Sequence, residues 1–119
     1  MNDQNELGLG NDGRSALARL LAESERAVIF TGAGISTESG IPDFRSPGGI
    51  WEKNKPVMFQ DFMASDTAKR DYWRQRFSRE GAILNAEPNR GHRAVEKLVR
   101  SGKVSAVITQ NIDGLHQQS

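Results

Sequence analysis

The chain has 119 residues, a formal net charge of +1, 36% hydrophobic residues, 26% charged residues and no cysteine. This composition is typical of a soluble globular domain, and the small charge gives no general attraction to nucleic acid or to a membrane surface. The lack of cysteine excludes disulfides and thiolate metal sites within these residues. No apolar run approaches the roughly 20 residues of a membrane span. The polar N-terminus is not a secretory signal, so we expect a cytoplasmic protein.

The chain opens with polar residues and one short helix. Residues 1–13 are polar and glycine-rich, which predicts a flexible N-terminal tail. Residues 14–25 carry leucines at helical spacing, which predicts a short amphipathic helix. The apolar run at residues 27–30 is too short for a helix and predicts a buried strand that enters a glycine turn.

The middle of the chain combines a long loop with helices. Residues 41–57 contain three prolines and two glycines, which predict a long loop of the kind that is usually functional or mobile. Residues 59–79 carry aromatic side chains at helical spacing and predict two short helices separated near Ser65. Basic side chains between residues 69 and 79 indicate a solvated helix face.

The last third of the chain predicts a helix followed by a second buried strand. Asn89 is suited to cap a helix that runs to about Arg100, and Gly102 is suited to end it. Residues 104–109 are rich in β-forming side chains. Strand, helices and strand in this order predict an α/β fold with a Rossmann-like parallel sheet flanked by helices. We expect this sheet to be incomplete in the chain, with one edge and part of one face exposed.

A glycine turn, Gly32-Ala33-Gly34, directly follows the first predicted strand. Glycines at this place let the backbone approach a pyrophosphate, and the N–H groups at the start of the next helix face the phosphates. A dehydrogenase would have a third glycine where Thr37 stands, and an acidic ribose ligand about 20 residues further on. Both are missing, so the pattern favours nucleotide binding over an ordinary oxidoreductase. A plain tight turn is the alternative for this motif alone.

Several longer segments carry a resemblance to the sirtuin family. The matching segments are Thr31–Ser36 with Ser39–Ser46, Gly49–Trp51, Pro88–Asn89 with His92, and Thr109–His116. The resemblance spans about residues 14–119 and implies the N-terminal part of an NAD-binding catalytic domain. It further implies an NAD-dependent protein-lysine deacylase (deacetylase), which transfers the acyl group from lysine to ADP-ribose and releases nicotinamide.

The resemblance also implies roles for individual residues. Asn111 is the implied catalytic residue, which orients the ribose and a water molecule. Asp113 is the implied polar partner of the nicotinamide amide, and Phe44 shields the reacting ribose from water. The implied cofactor-binding residues are Gly32, Ala33, Gly34, Ser36, Asp43, Phe44, Arg45, Gln110, Asn111, Ile112 and Asp113.

Several of the same side chains have simpler interpretations. Asp43 can brace its loop as well as contact the cofactor, and Trp51 is expected to pack within that loop. His116 is expected to be structural, because the family's catalytic histidine lies on a later His-Gly motif. His92 is expected to be a hydrogen-bonded packing residue.

Parts of the family's machinery have no counterpart in these residues. The catalytic histidine and the cysteines of the family's structural zinc site are absent, so we expect a truncated chain without appreciable deacylase activity. The alternatives are a non-catalytic NAD- or ADP-ribose-binding domain and a protein mono-ADP-ribosyltransferase. Tyr72 and Arg76 are spaced one residue too far apart for an acid-binding pair, so an acetyl or other neutral acyl group is expected. The implied partner is an acyl-lysine protein or peptide.

Overall fold

The computed structural model describes residues 11–119, which form a two-stranded parallel sheet and six α-helices. The elements in chain order are α1 (Asn11–Glu23), β1 (Ala27–Thr31), the 3₁₀ helix η1 (Ala33–Ser39), α2 (Ile50–Lys53), α3 (Phe59–Ala64), α4 (Asp66–Leu84), α5 (Arg90–Arg100), β2 (Val104–Thr109) and α6 (Leu115–Gln118). Residues 1–10 of the predicted tail lie outside the described residues. The first helix begins at Asn11, three residues earlier than predicted.

The two strands pair in parallel, which confirms the α/β prediction. Val28 aligns with Ala106 and Thr31 with Thr109, and the register shifts by one residue after Ala27. Parallel pairing requires a crossover between the strands, and α2 to α5 lie in that connection. The carboxyl ends of both strands therefore lie side by side at one edge of the sheet.

The two faces of this sheet differ in exposure. Val104 is 2% exposed and Thr31 is 8% exposed on the covered face. On the opposite face, Val28 is 56% exposed, Phe30 64% and Ile108 54%. The two predicted buried strands are therefore covered on one face only, because within residues 11–119 no other element covers the second face. The expectation of a partly exposed face is confirmed.

Helix α5 has a cap at its start and a glycine after its end, and it packs against β2. Asn89 caps it, since its Oδ1 accepts a hydrogen bond of 2.8 Å from the N–H of Gly91. The half-buried Val95 and Leu98 lie on its inner side, and Gly102, with a φ of 79°, follows its end in the left-handed conformation that favours glycine. The predicted cap and stop are both confirmed.

Helices α3 and α4 form a second, smaller unit. The rings of Phe62 and Tyr72 pack edge to face with centroids 5.3 Å apart. Ser65 separates the two helices and caps α4, since its Oγ accepts a hydrogen bond of 3.3 Å from the N–H of Ala68. The predicted break is confirmed, although α4 continues to Leu84, five residues further than predicted. Helix α2 lies inside the predicted loop, and α6 was not predicted.

Between residues 11 and 119, no helix combines the length and the apolar character needed to cross a membrane.

Candidate functional site

The two signature segments meet at the carboxyl edge of the sheet. The N–H of Gln110 donates to the carbonyl of Thr31 over 3.0 Å, which extends the strand pairing into the loop after β2. The side chain of Asn111 then crosses to the glycine turn, where its Nδ2 donates to the carbonyl of Gly32 over 2.9 Å. Residues about 80 positions apart in the sequence therefore form one surface at the position where ligands bind in open α/β sheets.

Ser36 and Asp113 form the shortest polar contact between the two segments. The hydroxyl of Ser36 donates to Oδ2 of Asp113 over 2.6 Å. Ser36 is only 1% exposed, so its proton has few alternative acceptors. The other oxygen of Asp113 accepts a hydrogen bond of 3.0 Å from the N–H of Leu115, the first residue of α6. Both carboxylate oxygens keep unused acceptor capacity, since an ionised carboxylate offers about four lone-pair sites.

His92 lies beneath Ser36 and is fully buried, with no exposed surface. Its Nδ1 accepts a hydrogen bond of 3.1 Å from the N–H of Asn89. The neutral imidazole therefore carries its proton on Nε2, which lies 3.4 Å from Oγ of Ser36. Burial lowers the pKa of His92, the nearby His116 lowers it further, and Asp113 opposes both effects. His92 is thus a neutral, hydrogen-bonded packing residue, as predicted.

His116 closes the base of the site from the other side. Its Nε2 lies 2.9 Å from Oγ1 of Thr31, and that hydroxyl also contacts Oγ1 of Thr109 at 2.8 Å. The rings of His116 and His92 meet edge to face with centroids 5.0 Å apart. The structural role predicted for His116 is confirmed. The paired threonines at the strand ends were missed, although their positions at the ends of two predicted parallel strands were visible in the sequence.

The glycine turn leaves open space above its backbone. Gly32 has a φ of −136°, which any residue can adopt, and a methyl group added at Gly34 would meet no atom within 4 Å. No packing within the described residues therefore requires glycine at position 34. The first N–H groups of a helix have no partner within it, so those of Ala33 and Gly34 are available at the start of η1.

The loop of residues 41–57 is braced by Asp43 and is called the cofactor loop below, after the role that the family resemblance implies for it. One oxygen of Asp43 accepts a hydrogen bond of 3.1 Å from the N–H of Ser46, and the other accepts from the hydroxyl of Ser46. The backbone carbonyl of Asp43 accepts a hydrogen bond of 2.7 Å from the N–H of Ile50. A methyl group added at Gly49 would lie 2.7 Å from the carbonyl oxygen of Ser46, so this tight turn requires glycine. Of the two roles considered for Asp43, the structure shows the bracing one.

Phe44 and Trp51 pack on each other in the same loop, with ring centroids 5.1 Å apart. The packing role expected for Trp51 is confirmed. Phe44 remains 40% exposed, and Arg45 beside it is exposed.

The structure brings only some of the predicted site residues into contact. Ser36, Asn111 and Asp113 form one cluster with the backbone of Gly32. Gln110 borders it, since its Oε1 would lie 3.7 Å from a methyl group at Gly32. The described contacts of Asp43 and Phe44 are made outside this cluster, and Ile112 is 73% exposed.

A set of contacts between η1 and the start of α5 was not foreseen. Nδ2 of Asn89 donates to the carbonyl of Ile35 over 2.8 Å and to Oγ of Ser39 over 2.9 Å. On the surface, Arg90 forms a two-pronged ion pair with Glu38, with N–O distances of 2.9 and 2.8 Å. The hydrogen bond and charge of Arg90 lower the pKa of Glu38. The Pro-Asn pair predicted the cap, but nothing in the sequence indicated its partners.

Within residues 11–119, no three histidine, cysteine, aspartate or glutamate side chains group as metal ligands.

Comparisons with known proteins agree with this geometry. The profile of the Sir2 family matches residues 32–119. The chain is 57% identical over 114 residues to NAD-dependent protein deacetylase 1 of Bradyrhizobium diazoefficiens, an alignment that covers 93% of this chain and 45% of that protein. It is 48% identical over 106 residues to NAD-dependent protein deacylase 2 of Pyrobaculum aerophilum, covering 87% and 41%. The chain thus spans less than half the length of these curated relatives.

Solved structures give the same result. A mutant Sir2 with a deacetylated p53 peptide and 3′-O-acetyl ADP ribose superimposes with a TM-score of 0.74 at 47% identity, over 87% of this chain and 42% of that one. A mutant Sir2 homologue in complex with ADP ribose superimposes with a TM-score of 0.75 at 38% identity, over 87% and 41%. The chain therefore belongs to the class of α/β proteins with a parallel sheet flanked by helices. Within that class, the chain belongs to the Sir2 family.

Proposed function

We propose that residues 14–119 form the NAD-binding part of an NAD-dependent protein-lysine deacylase that acts on acetyl or other neutral acyl groups. The names of the similar proteins from Bradyrhizobium and Pyrobaculum support this activity. The Sir2 structures with ADP ribose and with a deacetylated peptide support both substrates, NAD and an acyl-lysine polypeptide. NAD supplies the ADP-ribose that accepts the acyl group.

The single observation that carries the proposal is the contact between the two signatures at Ser36 and Asp113. Ser36 is buried and donates to Asp113 over 2.6 Å, which fixes the carboxylate at the edge of the site. A carboxylate held in this way has lone pairs left for the N–H groups of a carboxamide. We assign Asp113, together with the backbone of Ile112, to the nicotinamide amide, and Ser36 to holding Asp113 in place.

The glycine turn and Asn111 suit the rest of the dinucleotide. The open space above Gly34 and the N–H groups at the start of η1 fit a pyrophosphate. Asn111 donates through Nδ2 to Gly32 over 2.9 Å, which leaves its carbonyl oxygen able to orient a ribose hydroxyl or a water molecule. We therefore assign Asn111 as the catalytic residue in this part of the chain and Gln110 as a neighbour that borders the turn.

The cofactor loop contributes shielding and charge. Phe44 is aromatic, 40% exposed and held by Trp51, which suits a side chain that keeps water from the reacting ribose. Arg45 is exposed beside it and carries the guanidinium fork that matches phosphate oxygens. Asp43 acts by bracing the loop that presents both.

The zinc ion implied by the family resemblance does not fit these residues. The chain has no cysteine, and the described residues contain no alternative group of metal ligands. A cytoplasmic location remains part of the proposal and rests on the sequence.

The proposal is tested by changing Asn111 and Asp113 in the whole natural polypeptide. Asn111→Ala and Asp113→Asn are both expected to abolish NAD-dependent deacylation of an acetyl-lysine peptide, measured as nicotinamide release. Asparagine at 113 can still accept from the N–H of Leu115, so the fold is kept while the charge is lost. Asp61→Asn in α3 is the matched control and should leave the rate unchanged. Full activity of both site variants would disprove the assignment. NAD binding by calorimetry without deacylation would instead favour a purely binding domain.

A further inference from the structure

Arg79 differs from the other arginines of α4. Arg70, Arg74 and Arg76 are exposed, whereas Arg79 is half-buried. Its Nε donates to the carbonyl of Gln75 over 3.1 Å, which orients the guanidinium along the helix. The arginines of the basic face predicted from the sequence are therefore solvated except at this position.

The guanidinium of Arg79 lies over the ring of Phe44. Its central carbon is 5.9 Å from the ring centroid, within the range in which the negative face of an aromatic ring attracts a cation. Trp51 packs on the same ring with centroids 5.1 Å apart. Phe44 is thus contacted by a partner in its own loop and by a charged partner on α4.

A second contact of α4 with the cofactor loop lies one helical turn earlier. Nε2 of Gln75 donates to the carbonyl of Lys55 over 3.1 Å. Residues 75 and 79 are four positions apart and therefore share one face of the helix. Helix α4 consequently holds the loop near both ends, at its backbone through Gln75 and at Phe44 through Arg79.

We propose that Arg79 is a positioning residue for the cofactor loop, which holds Phe44 in place through the contact between its guanidinium and the aromatic ring. The relevance of this position to NAD rests on the proposed function, but the contact itself does not. A cation–π contact at such a partly exposed site changes a conformational equilibrium by about two- to fivefold. Loss of the contact therefore increases the population of loop conformations in which Phe44 is displaced.

Tryptic cleavage after Arg45 tests the contact in the absence of NAD. Arg45 is exposed and adjacent to Phe44, and cleavage requires local opening of the chain around it. In the whole natural polypeptide, Arg79→Met is expected to accelerate cleavage of the Arg45–Ser46 bond about two- to fivefold. The rate is measured by mass spectrometry of the peptide that ends at Arg45. Arg70→Met removes the same charge from an exposed position of the same helix and should have no effect. Equal rates for the two variants would overturn the proposal.

Two further variants exclude a general loss of structure. Arg79→Lys keeps a cation over the ring and is expected to restore a cleavage rate close to that of the unaltered protein. Phe44→Leu removes the ring without altering α4 and should accelerate cleavage by itself, and adding Arg79→Met to it should cause no further increase. Additive effects of the two changes would overturn the proposal even if Arg79→Met weakened the fold.

Steady-state kinetics then separate this inference from the proposed function. Arg79→Met is expected to raise KM for NAD about two- to fivefold with kcat unchanged, because ordering of the loop is a cost of binding. A change in kcat with unaltered KM would overturn the assignment of Arg79 as a residue that prepares the loop for NAD. If the unaltered protein does not use NAD, the proposed function fails, while the proteolysis result still decides whether Arg79 holds Phe44.

Discussion

Asn89→Ala should destabilise the domain more than the loss of an ordinary helix cap. The side chain of Asn89 accepts from the N–H of Gly91 and donates to the carbonyl of Ile35 and to Oγ of Ser39, with all three distances at or below 2.9 Å. Loss of an N-cap costs about 1 kcal/mol, and each of the other two hydrogen bonds contributes about 1 kcal/mol. The expected loss in the free energy of unfolding is therefore about 2–4 kcal/mol.

Asn89→Ser separates the two contributions. Serine still caps the helix but is too short to reach Ile35 and Ser39, so about two-thirds of the loss should remain. Guanidinium chloride titrations of the unaltered protein and the two variants give the unfolding midpoints. An unchanged slope of the unfolding free energy against denaturant concentration shows that unfolding exposes the same surface in each protein. If Asn89→Ser is as stable as the unaltered protein, the contacts between η1 and α5 contribute nothing, and the reasoning is refuted.

Three further predictions concern a buried histidine and three glycines. Burial lowers the pKa of His92, whereas in the unfolded chain the imidazole binds its proton near pH 6.5, so the stability of the folded state should fall as the pH drops below about 6.5. The melting temperature of His92→Gln should therefore depend less steeply on pH in this range. An equally steep dependence in the two proteins would contradict the prediction. Gly81→Ala fills open space in α4 and should stabilise by about 0.5–1 kcal/mol. Gly91→Ala places its methyl group 3.0 Å from Oδ1 of Asn89 and 3.2 Å from Ile35, so it should be less stable than Gly81→Ala. Denaturant titrations that give the opposite order would refute the packing argument. Gly49→Ala should disrupt the turn of the cofactor loop and speed tryptic cleavage there, with Gly81→Ala as the unaffected control.

Local sequence patterns predicted the elements of the fold well. The apolar run before Gly32 and the β-forming run after Gly102 became the two parallel strands, and Asn89 became the predicted cap. The helix boundaries were less well predicted. Helix α1 begins three residues earlier than predicted and α4 ends five residues later, because the residues at these two ends follow no periodic apolar pattern. Helix α6 was missed because Asp113 starts it by accepting from the N–H of Leu115, and four residues are too few to show periodicity.

The site was predictable as a set of residues but not as a set of contacts. The family resemblance placed Ser36, Asn111 and Asp113 in one site, and the structure brings them together. The resemblance did not indicate that Ser36 is buried and donates to Asp113, because burial depends on the packing of His92 beneath it. The contact of Arg79 with Phe44 joins residues 35 positions apart, and nothing in the local pattern of either segment indicates it.

The contacts from Ser36 to Asp113 and from Asn111 to Gly32 have a consequence for the order of folding. Each joins residues more than 75 positions apart, so neither forms until the long connection between β1 and β2 has closed. No single helix or hairpin of this chain can present the site by itself. Occupancy of the site therefore reports on the folding of the whole segment from Gly32 to Asp113, and amide hydrogen exchange at Leu115 should be among the slowest to respond when the protein opens locally.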